Sequence, residues 1–343
     1  NFALSGRPPT DVSSTWPVSL NCTPTTHPSN FSMENNIQNR LDQLPASGIW
    51  SAALTPLKAD LSIDCTQFAR HANYLLDKGC HGIGIFGTTG EANAFSVVER
   101  MTALESLLTE GISPHILMIG TGCCALTDTV ALTRHAIEHG VKKILALPPF
   151  YYKNVTDDGL FRSFSEVIDR TASDNLELYL YHFPAMSQTP ISANLISTLC
   201  DHFPKIIGGV KDSSGDLNHS LELASQFPDL AIFPGNETHL LGTLENGCAG
   251  CISATANANP RGIRKIFDGC LNGDSSVHAL QDQAFAIREV FGRHPLVSAL
   301  KQHAAWSTGD NAWLRLRPPL TTLEEDTATV LRTDLGALSV SPL

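Results

Sequence analysis

The sequence predicts an α/β protein folded as a (β/α)8 TIM barrel with a C-terminal helical extension. Three observations carry that expectation. From residue 48 onward short apolar runs alternate with longer amphipathic ones, the alternation recurs eight times, and the chemically distinctive residues fall just after the apolar runs. The candidate strands are Ile49 to Leu54, Gly82 to Phe86, His115 to Ile119, Lys143 to Leu147, Leu176 to Tyr181, Ile206 to Lys211, Ala231 to Phe233 and Cys248 to Ser253. A helix-period segment follows each. The first starts at Asp64 with Gln67, lines up Phe68, Ala72, Leu75 and Leu76, and stops at Gly79. The second opens on a capping-box pair, Ser96 with Glu99, runs an apolar stripe through Val98, Met101, Leu104, Leu107 and Leu108, and ends at Gly111. Others are expected over 127–139, 158–171, 192–202, 217–227, 238–246 and 260–270. Eight units in about 225 residues indicate a closed barrel more than an open doubly wound sheet. A further helical stretch over 276–306 lies outside it, so the expected organisation is a barrel over 46–273 and a helical region and tail over 274–343.

Residues 1–45 read differently. Pro8, Pro9, Pro17, Pro24 and Pro28 stand among Ser, Thr and Asn with little periodicity, which predicts a flexible leader, and one that need not be native. It lacks the basic start and compact apolar stretch of a secretory signal, and Met33 is a candidate natural start. Asn21-Cys22-Thr23 and Asn30-Phe31-Ser32 match glycosylation sequons, triplets that recur by chance.

The composition, 42% apolar and 17% charged over 343 residues, supplies a large core and reads as soluble and globular. A formal charge of -11 argues against nucleic acid or an acidic membrane surface as partner, because each calls for a basic footprint. No apolar run is long enough for a transmembrane helix. The nine cysteines are odd in number and scattered, which argues against a disulfide framework and fits a reducing cytoplasm. Cys248-Ala249-Gly250-Cys251 is a lone CxxC in an apolar segment and reads as strand packing. His135 and His139 share a helical i, i+4 spacing, but on a helix face remote from the strand ends, so no metal is expected.

In a (β/α)8 barrel the site gathers at the C-terminal ends of the strands. There the sequence offers Gly87-Thr88-Thr89-Gly90-Glu91 after strand 2, Phe150-Tyr151-Tyr152 after strand 4 and Tyr181-His182-Phe183-Pro184 after strand 5. Lys211 closes strand 6, Gly235-Asn236-Glu237 follow strand 7, and Ile252-Ser253 end strand 8. Lys211 ends an apolar run. It fits either a lysine that snorkels from a strand end or a buried amine, and burial favours the neutral, nucleophilic form that condenses with a carbonyl. A Gly-Thr-Thr-Gly segment is by itself a tight turn, but its successive amides and two hydroxyls also suit a carboxylate. Joined to an amine and a phenol, it points to a 2-oxo acid with its carboxylate on the turn and its keto carbon at Lys211.

These residues carry a resemblance. Gly-Thr-Thr-Gly-Glu at 87–91, Tyr-x-x-Pro at 181–184 and Gly-Val-Lys-Asp-Ser-Ser-Gly at 209–215 are similar to motifs of the dihydrodipicolinate synthase and N-acetylneuraminate lyase family, pyruvate-dependent class I aldolases. The likeness runs from about Gly48 to Leu320. It implies a Schiff-base lysine at Lys211, a proton-shuttling phenol at Tyr181, and a carboxylate grip by Gly87, Thr88 and Thr89. It further implies a relay tyrosine at Tyr151 contributed across a subunit interface, a backbone carbonyl near the lysine at Ile252, and distal substrate contacts at Gly235 and Asn236, with Ser213, Ser214, Glu237 and Ser253 as further hydroxyl-binding candidates. A free phenol titrates near 10, so Tyr181 needs a relay partner or a nearby cation to act as a base.

The resemblance implies no cofactor, a 2-oxo acid such as pyruvate and an aldehyde as partners, and a homotetramer built as a dimer of dimers. Two positions depart from the best-known members. Met186 stands where the lysine-pathway synthase has an arginine, which a thioether cannot replace, and His182 stands where asparagine is common. The expected activity is therefore a lyase that cleaves or forms a carbon-carbon bond in a 2-keto-3-deoxy sugar acid or 4-hydroxy-2-oxo acid. A dehydratase of a related sugar acid and the synthase itself are the alternatives within the family. A 2-oxo acid binding protein is the alternative outside enzymes, which 2-oxo acid binding with neither turnover nor borohydride trapping would favour. Lys301, also set among apolar neighbours, is the rival lysine and falls in the outer helical segment, where a structural role is expected.

Overall fold

The computed structural model describes residues 37–338. Eight parallel strands form its centre: β1 (Gly48–Ala52), β2 (Gly82–Ile85), β3 (Leu117–Gly120), β4 (Lys143–Ala146), β5 (Glu177–His182), β6 (Ile207–Asp212), β7 (Ala231–Pro234) and β8 (Gly250–Ser253). The pairing order is β7-β6-β5-β4-β3-β2-β1-β8. The Ala249 amide donates to the Ile232 carbonyl at 2.8 Å, bridging the two ends of that order, so the sheet is a nearly closed barrel. Register sets Tyr181 beside Lys211 and Lys211 beside Phe233 across β5, β6 and β7.

Side chains from six of the eight strands fill the barrel interior. Trp50, Met118, Leu145, Tyr179, Phe233 and Ile252 belong to one buried cluster there, with Tyr181 at its upper end. Gly82 on β2 carries no side chain because the Trp50 ring takes that space, and any Cβ there would collide with it. The helices are α1 (Cys65–Asp77), α2 (Val97–Thr109), α3 (Leu126–Glu138), α4 (Asp157–Thr171), α5 (Ala193–His202), α6 (Leu217–Gln226), α7 (Leu240–Glu245) and α8 (Pro260–Leu271). Their apolar faces bury a second, larger cluster against the outside of the sheet. Both expected N-terminal signals form: the Asp64 carboxylate accepts from the Gln67 amide, and Ser96 with Glu99 makes a full capping box.

The structure moves some expected boundaries. Strand 3 begins at Leu117, because Pro114–Ile116 form a 3-10 turn capped by Ser113. The outer stretch 276–306 is two helices, α9 (Val277–Gly292) and α10 (Leu296–Thr308), divided where Pro295 cannot continue the first. A 3-10 turn, Asn311–Leu314, and α11 (Glu325–Ala337) follow, and these elements pack a third apolar cluster against Leu54, Ala254 and Ala258 at the ends of β1 and β8. The last residues of the stretch expected as a leader are structured. Residues 37–41 are helical, Leu41 is buried, and the Arg40 guanidinium donates to the carbonyls of Leu244 and Cys248, so this segment is part of the packed body. The sequons and Met33 lie outside the described residues. Among the described residues no helix is long and apolar enough to cross a membrane.

Candidate active site

Lys211, Tyr181 and Thr88, which come from three different strand ends, meet in space. Lys211 is buried, and its Nζ sits 4.3 Å from the centroid of the Tyr181 ring. Among the described residues it makes no ion pair, and the partner that meets its charge is the π face of the phenol. The Tyr181 hydroxyl lies 3.4 Å from Thr88 Oγ1, a loose contact that either group can donate. An amine, a phenol and an alcohol therefore face one another at the C-terminal mouth of the barrel. That is the end at which such barrels place their chemistry.

The Gly87–Gly90 segment is built to leave its amides open. Phe86 before it and Glu91 after it both take left-handed backbone, φ 55° and 58°, which non-glycine residues rarely adopt. Three of its four carbonyls are engaged: Thr88 O accepts from Glu91 N at 3.1 Å, Gly87 O from Ala92 N at 3.2 Å, and Gly90 O from Thr55 Oγ1 at 2.8 Å. The amides of Thr88 and Thr89 find no protein acceptor among the described residues. Successive amides without an internal acceptor are the backbone element from which anion-binding concavities are built.

Glu91, the last residue of that motif, turns away from the mouth. Its buried carboxylate pairs with the Lys301 ammonium of α10 and accepts from the Arg317 amide at 3.1 Å. Arg317 continues the clamp, donating to Leu61 O at 2.9 Å and Ala94 O at 2.7 Å and forking onto the Glu99 carboxylate. The C-terminal extension thus holds the turn that carries Thr88 and Thr89. Sequence reading placed Lys301 correctly in the outer helices but missed its partner.

The β6 to β8 side forms the opposite rim. Gly235 is required by a close approach, since a Cβ there would strike Ser213, and its amide donates to Asp212 O at 2.6 Å. Asn236 is partly exposed, with Oδ1 accepting from Thr238 N at 2.9 Å. Ser213 and Ser214 are likewise partly exposed. Ser253 and Glu237 are buried and spent on each other: the Glu237 carboxylate accepts from the hydroxyls of both Ser253 and Thr255. Ile252 is buried in the interior cluster.

Asp212 and His182 point outward from the residues beside Lys211 and Tyr181. His182 Nδ1 accepts from the Ile191 amide at 3.0 Å, and Asp212 accepts from Ser214 N, His219 Nδ1 and Ser220 Oγ. Burial alone would raise the Asp212 carboxyl, yet the hydrogen bonds from His219, Ser220 and Ser214 prevail and bring it down to about 2. This network braces the strand that carries Lys211. His182, Asp212 and His219 also bring ligand atoms within 4.8 Å of one another, as do Glu105, His135 and His139 on the outer face of α2 and α3.

The structure does not bring Tyr151 to the other groups. It and Tyr152 are exposed, 73% and 74%, with rings edge to face at 5.3 Å. Lys153, which sequence reading did not single out, ties their loop to the next by donating to Phe150 O and Ser187 O. Met186 is exposed on the single helical turn Pro184–Ser187. Cys248 and Cys251 are buried in the barrel wall, where burial pushes the Cys248 thiol up to about 12 and Cys251 upward as well, so both stay protonated.

A parallel barrel with an amine, a phenol and an open amide turn at the C-terminal ends of its strands defines an enzyme of the lyase class. Residues 45–338 match the Dihydrodipicolinate synthetase family, and the chain belongs to that family. It is 37% identical over 286 residues to an uncharacterized DapA-like lyase of Chloroflexus aurantiacus, covering 83% of this chain and 94% of that one. Among solved structures it is similar to dihydrodipicolinate synthase from Agrobacterium tumefaciens, with a TM-score of 0.78 at 31% identity over 85% of this chain and 99% of that one. It is also similar to YagE, a prophage protein of the same family from E. coli K12 solved with pyruvate. There the TM-score is 0.78 at 26% identity, over 86% and 99% of the two chains.

Proposed function

We propose that the protein is a Schiff-base class I aldolase acting on a 2-keto-3-deoxy sugar acid or a 4-hydroxy-2-oxo acid, releasing or using pyruvate. The observation that carries this reading is the Lys211 amine held 4.3 Å from the Tyr181 ring, with Thr88 Oγ1 within 3.4 Å of the Tyr181 hydroxyl. The pyruvate bound by YagE, the relative of known structure, agrees with it.

The chemistry runs in balanced steps. The substrate carboxylate lies on the open amides of Thr88 and Thr89, which presents its keto carbon to Lys211. The amine adds to that carbon, water leaves, and the resulting iminium is an electron sink. Tyr181 removes the proton of the C4 hydroxyl; the bond between C3 and C4 breaks, its electrons pass to the iminium as an enamine, and an aldehyde departs. The enamine takes up a proton at C3, and water hydrolyses the imine to release pyruvate and the free lysine. Thr88 relays protons to and from the phenol.

Gly235, Asn236, Ser213 and Ser214 offer the distal hydroxyl contacts. Met186 supplies no charge for a second carboxylate, which disfavours the synthase reaction. The exposed Tyr151 and Tyr152 pair supports an assembly in which a second copy completes the proton relay, within a dimer of dimers. Borohydride reduction with pyruvate, followed by peptide mapping, tests the reading. An N-carboxyethyl adduct on Lys211 is expected; an unmodified Lys211 in folded protein refutes Schiff-base chemistry.

A further inference from the structure

Among the described residues two groups of histidine and carboxylate side chains converge, and they differ in what their ligand atoms are already doing. His182, Asp212 and His219 are closed to a cation. His182 Nδ1 accepts the Ile191 amide, which leaves the ring proton on Nε2, and the Asp212 oxygens accept from Ser214 N, His219 Nδ1 and Ser220 Oγ. Glu105 on α2 and His135 with His139 on α3 carry no such load.

Ligand atoms of these three residues lie within 4.8 Å of one another, and His135 Nε2 stands 2.8 Å from Glu105 Oε1. The two imidazole rings are 4.2 Å apart between centroids, as i, i+4 spacing on one helix dictates. A carbonyl only accepts, so His139 Nδ1 carries the proton it gives to His135 O at 2.8 Å, and its lone pair is left on Nε2. A backbone acceptor on the second ring nitrogen is how metal-ligating histidines are oriented. Position favours a cation too: His135 lies in the last turn of α3 and His139 is its C-cap, where the helix dipole and the unpaired carbonyls are negative. Glu105, 30 residues earlier in the chain, supplies the third ligand that the spacing of the two histidines could not announce.

We propose that Glu105, His135 and His139 bind one divalent transition-metal ion of the Zn²⁺ kind, with two imidazoles and a carboxylate from the protein and water as the fourth ligand. Zinc bonds of about 2.0–2.1 Å set tetrahedral ligand atoms roughly 3.3 Å apart, which small side-chain rotations reach from the observed spacing. The ion takes the place of the proton that His135 Nε2 directs at Glu105, and that proton leaves to solvent. It joins α2 to α3 across the outer wall of the barrel. None of the three residues belongs to the site at the barrel mouth, so the inference stands or falls apart from the reading of Lys211.

Calorimetric titration of the full chain, stripped of metal and kept reduced, with ZnCl2 tests it, and MgCl2 is the comparison because Mg²⁺ prefers oxygen ligands. A single Zn²⁺ per chain is expected to bind tightly while Mg²⁺ does not bind. Free Zn²⁺ at about 100 times its Kd should raise Tm by about 4–5 °C. Glu105→Gln and His139→Gln should each weaken Zn²⁺ binding about tenfold or more, since even indirect supports of a metal are worth that much, and should remove most of the gain in Tm. Glu105 is exposed and His139 follows the last turn of α3, so without metal both variants should melt as the parent does. Absence of Zn²⁺ binding at sub-millimolar concentration overturns the proposal and leaves His135 and Glu105 a plain ion pair. So does an affinity unchanged in either variant, which would put Zn²⁺ on other ligands, such as the exposed Cys124.

Discussion

Lys301→Met isolates what the C-terminal extension does for the amide turn. The side chains of Lys301 and Glu91 are 1% and 0% exposed, and the ammonium also donates to Arg315 O at 2.7 Å. Methionine keeps the length and apolar stem but leaves the Glu91 carboxylate buried with only the Arg317 amide at 3.1 Å. Uncompensated buried charge of this kind costs about 3–5 kcal/mol. Unfolding entropy near 2.1 cal/mol/K per residue, over roughly 300 residues, gives about 0.6 kcal/mol/K, so Tm should fall by about 5–8 °C. The double variant Lys301→Met, Glu91→Gln should recover most of that loss, because a neutral amide still accepts from Arg317 and no charge remains. Scanning calorimetry and urea denaturation measure both. Kinetics add a second readout: Glu91 directly follows the turn, so Lys301→Met should raise KM for the 2-oxo acid more than it lowers kcat. A Tm within about 1 °C of the parent, or additive losses in the double variant, would refute the view that the pair acts as one unit.

Tyr181→Phe should lower kcat by about 10² to 10⁴, the range for a positioned acid-base group, while Lys211 still traps pyruvate with borohydride; loss of trapping would make the phenol part of imine formation instead. Burial depresses His71, His81 and His303 to about 4 each, so all three stay neutral in the fold but charge in the unfolded chain from about 6.5 downward. Their contribution is complete above that value and lost as pH falls toward about 4, and urea midpoints at pH 7 and 4.5 should show the drop, reduced in His303→Phe. His219 has the opposite sign, since the Asp212 carboxylate raises it; its stabilisation is complete below the free histidine value and declines as pH rises through the raised one. His219→Gln should flatten the alkaline side of the stability profile. Gly235→Ala should raise KM by displacing Ser213, and an unchanged KM would remove Gly235 from the rim.

The barrel was legible because its signals are local. A strand run, a cap and an amphipathic stripe each sit within a dozen or so residues, and Asp64 with Gln67 and Ser96 with Glu99 form as their spacing implies. The strand ends then follow from topology, which is why Lys211, Tyr181 and Thr88 could be named together before their distances were known. What escaped the sequence is pairing over long separations. Nothing in the neighbourhood of Glu91 announces Lys301 or Arg317, and nothing around Arg40 announces the Leu244 and Cys248 carbonyls that draw residues 37–41 onto the barrel. Exposure was hidden for the same reason. The local sequence does not set Tyr151 apart, only the family resemblance does, and the fold leaves it in solvent beside Tyr152.

The two buried lysines show what decides the use of one residue type. Both side chains are buried, so burial cannot be what separates the lysine proposed as nucleophile from the strut. Company does. Lys301 is met by a carboxylate and a carbonyl, which stabilise its charged form and occupy its protons; an amine held this way has no lone pair to offer. Lys211 is met by the face of a phenol, which attracts a cation weakly and leaves the nitrogen free on its other sides. The two are nonetheless linked. In the function proposed above, the turn that takes the substrate carboxylate is followed directly by the carboxylate that holds Lys301, so neutralising Glu91 removes a charge that would repel it. On that proposal the structural lysine helps to set the affinity on which Lys211 depends.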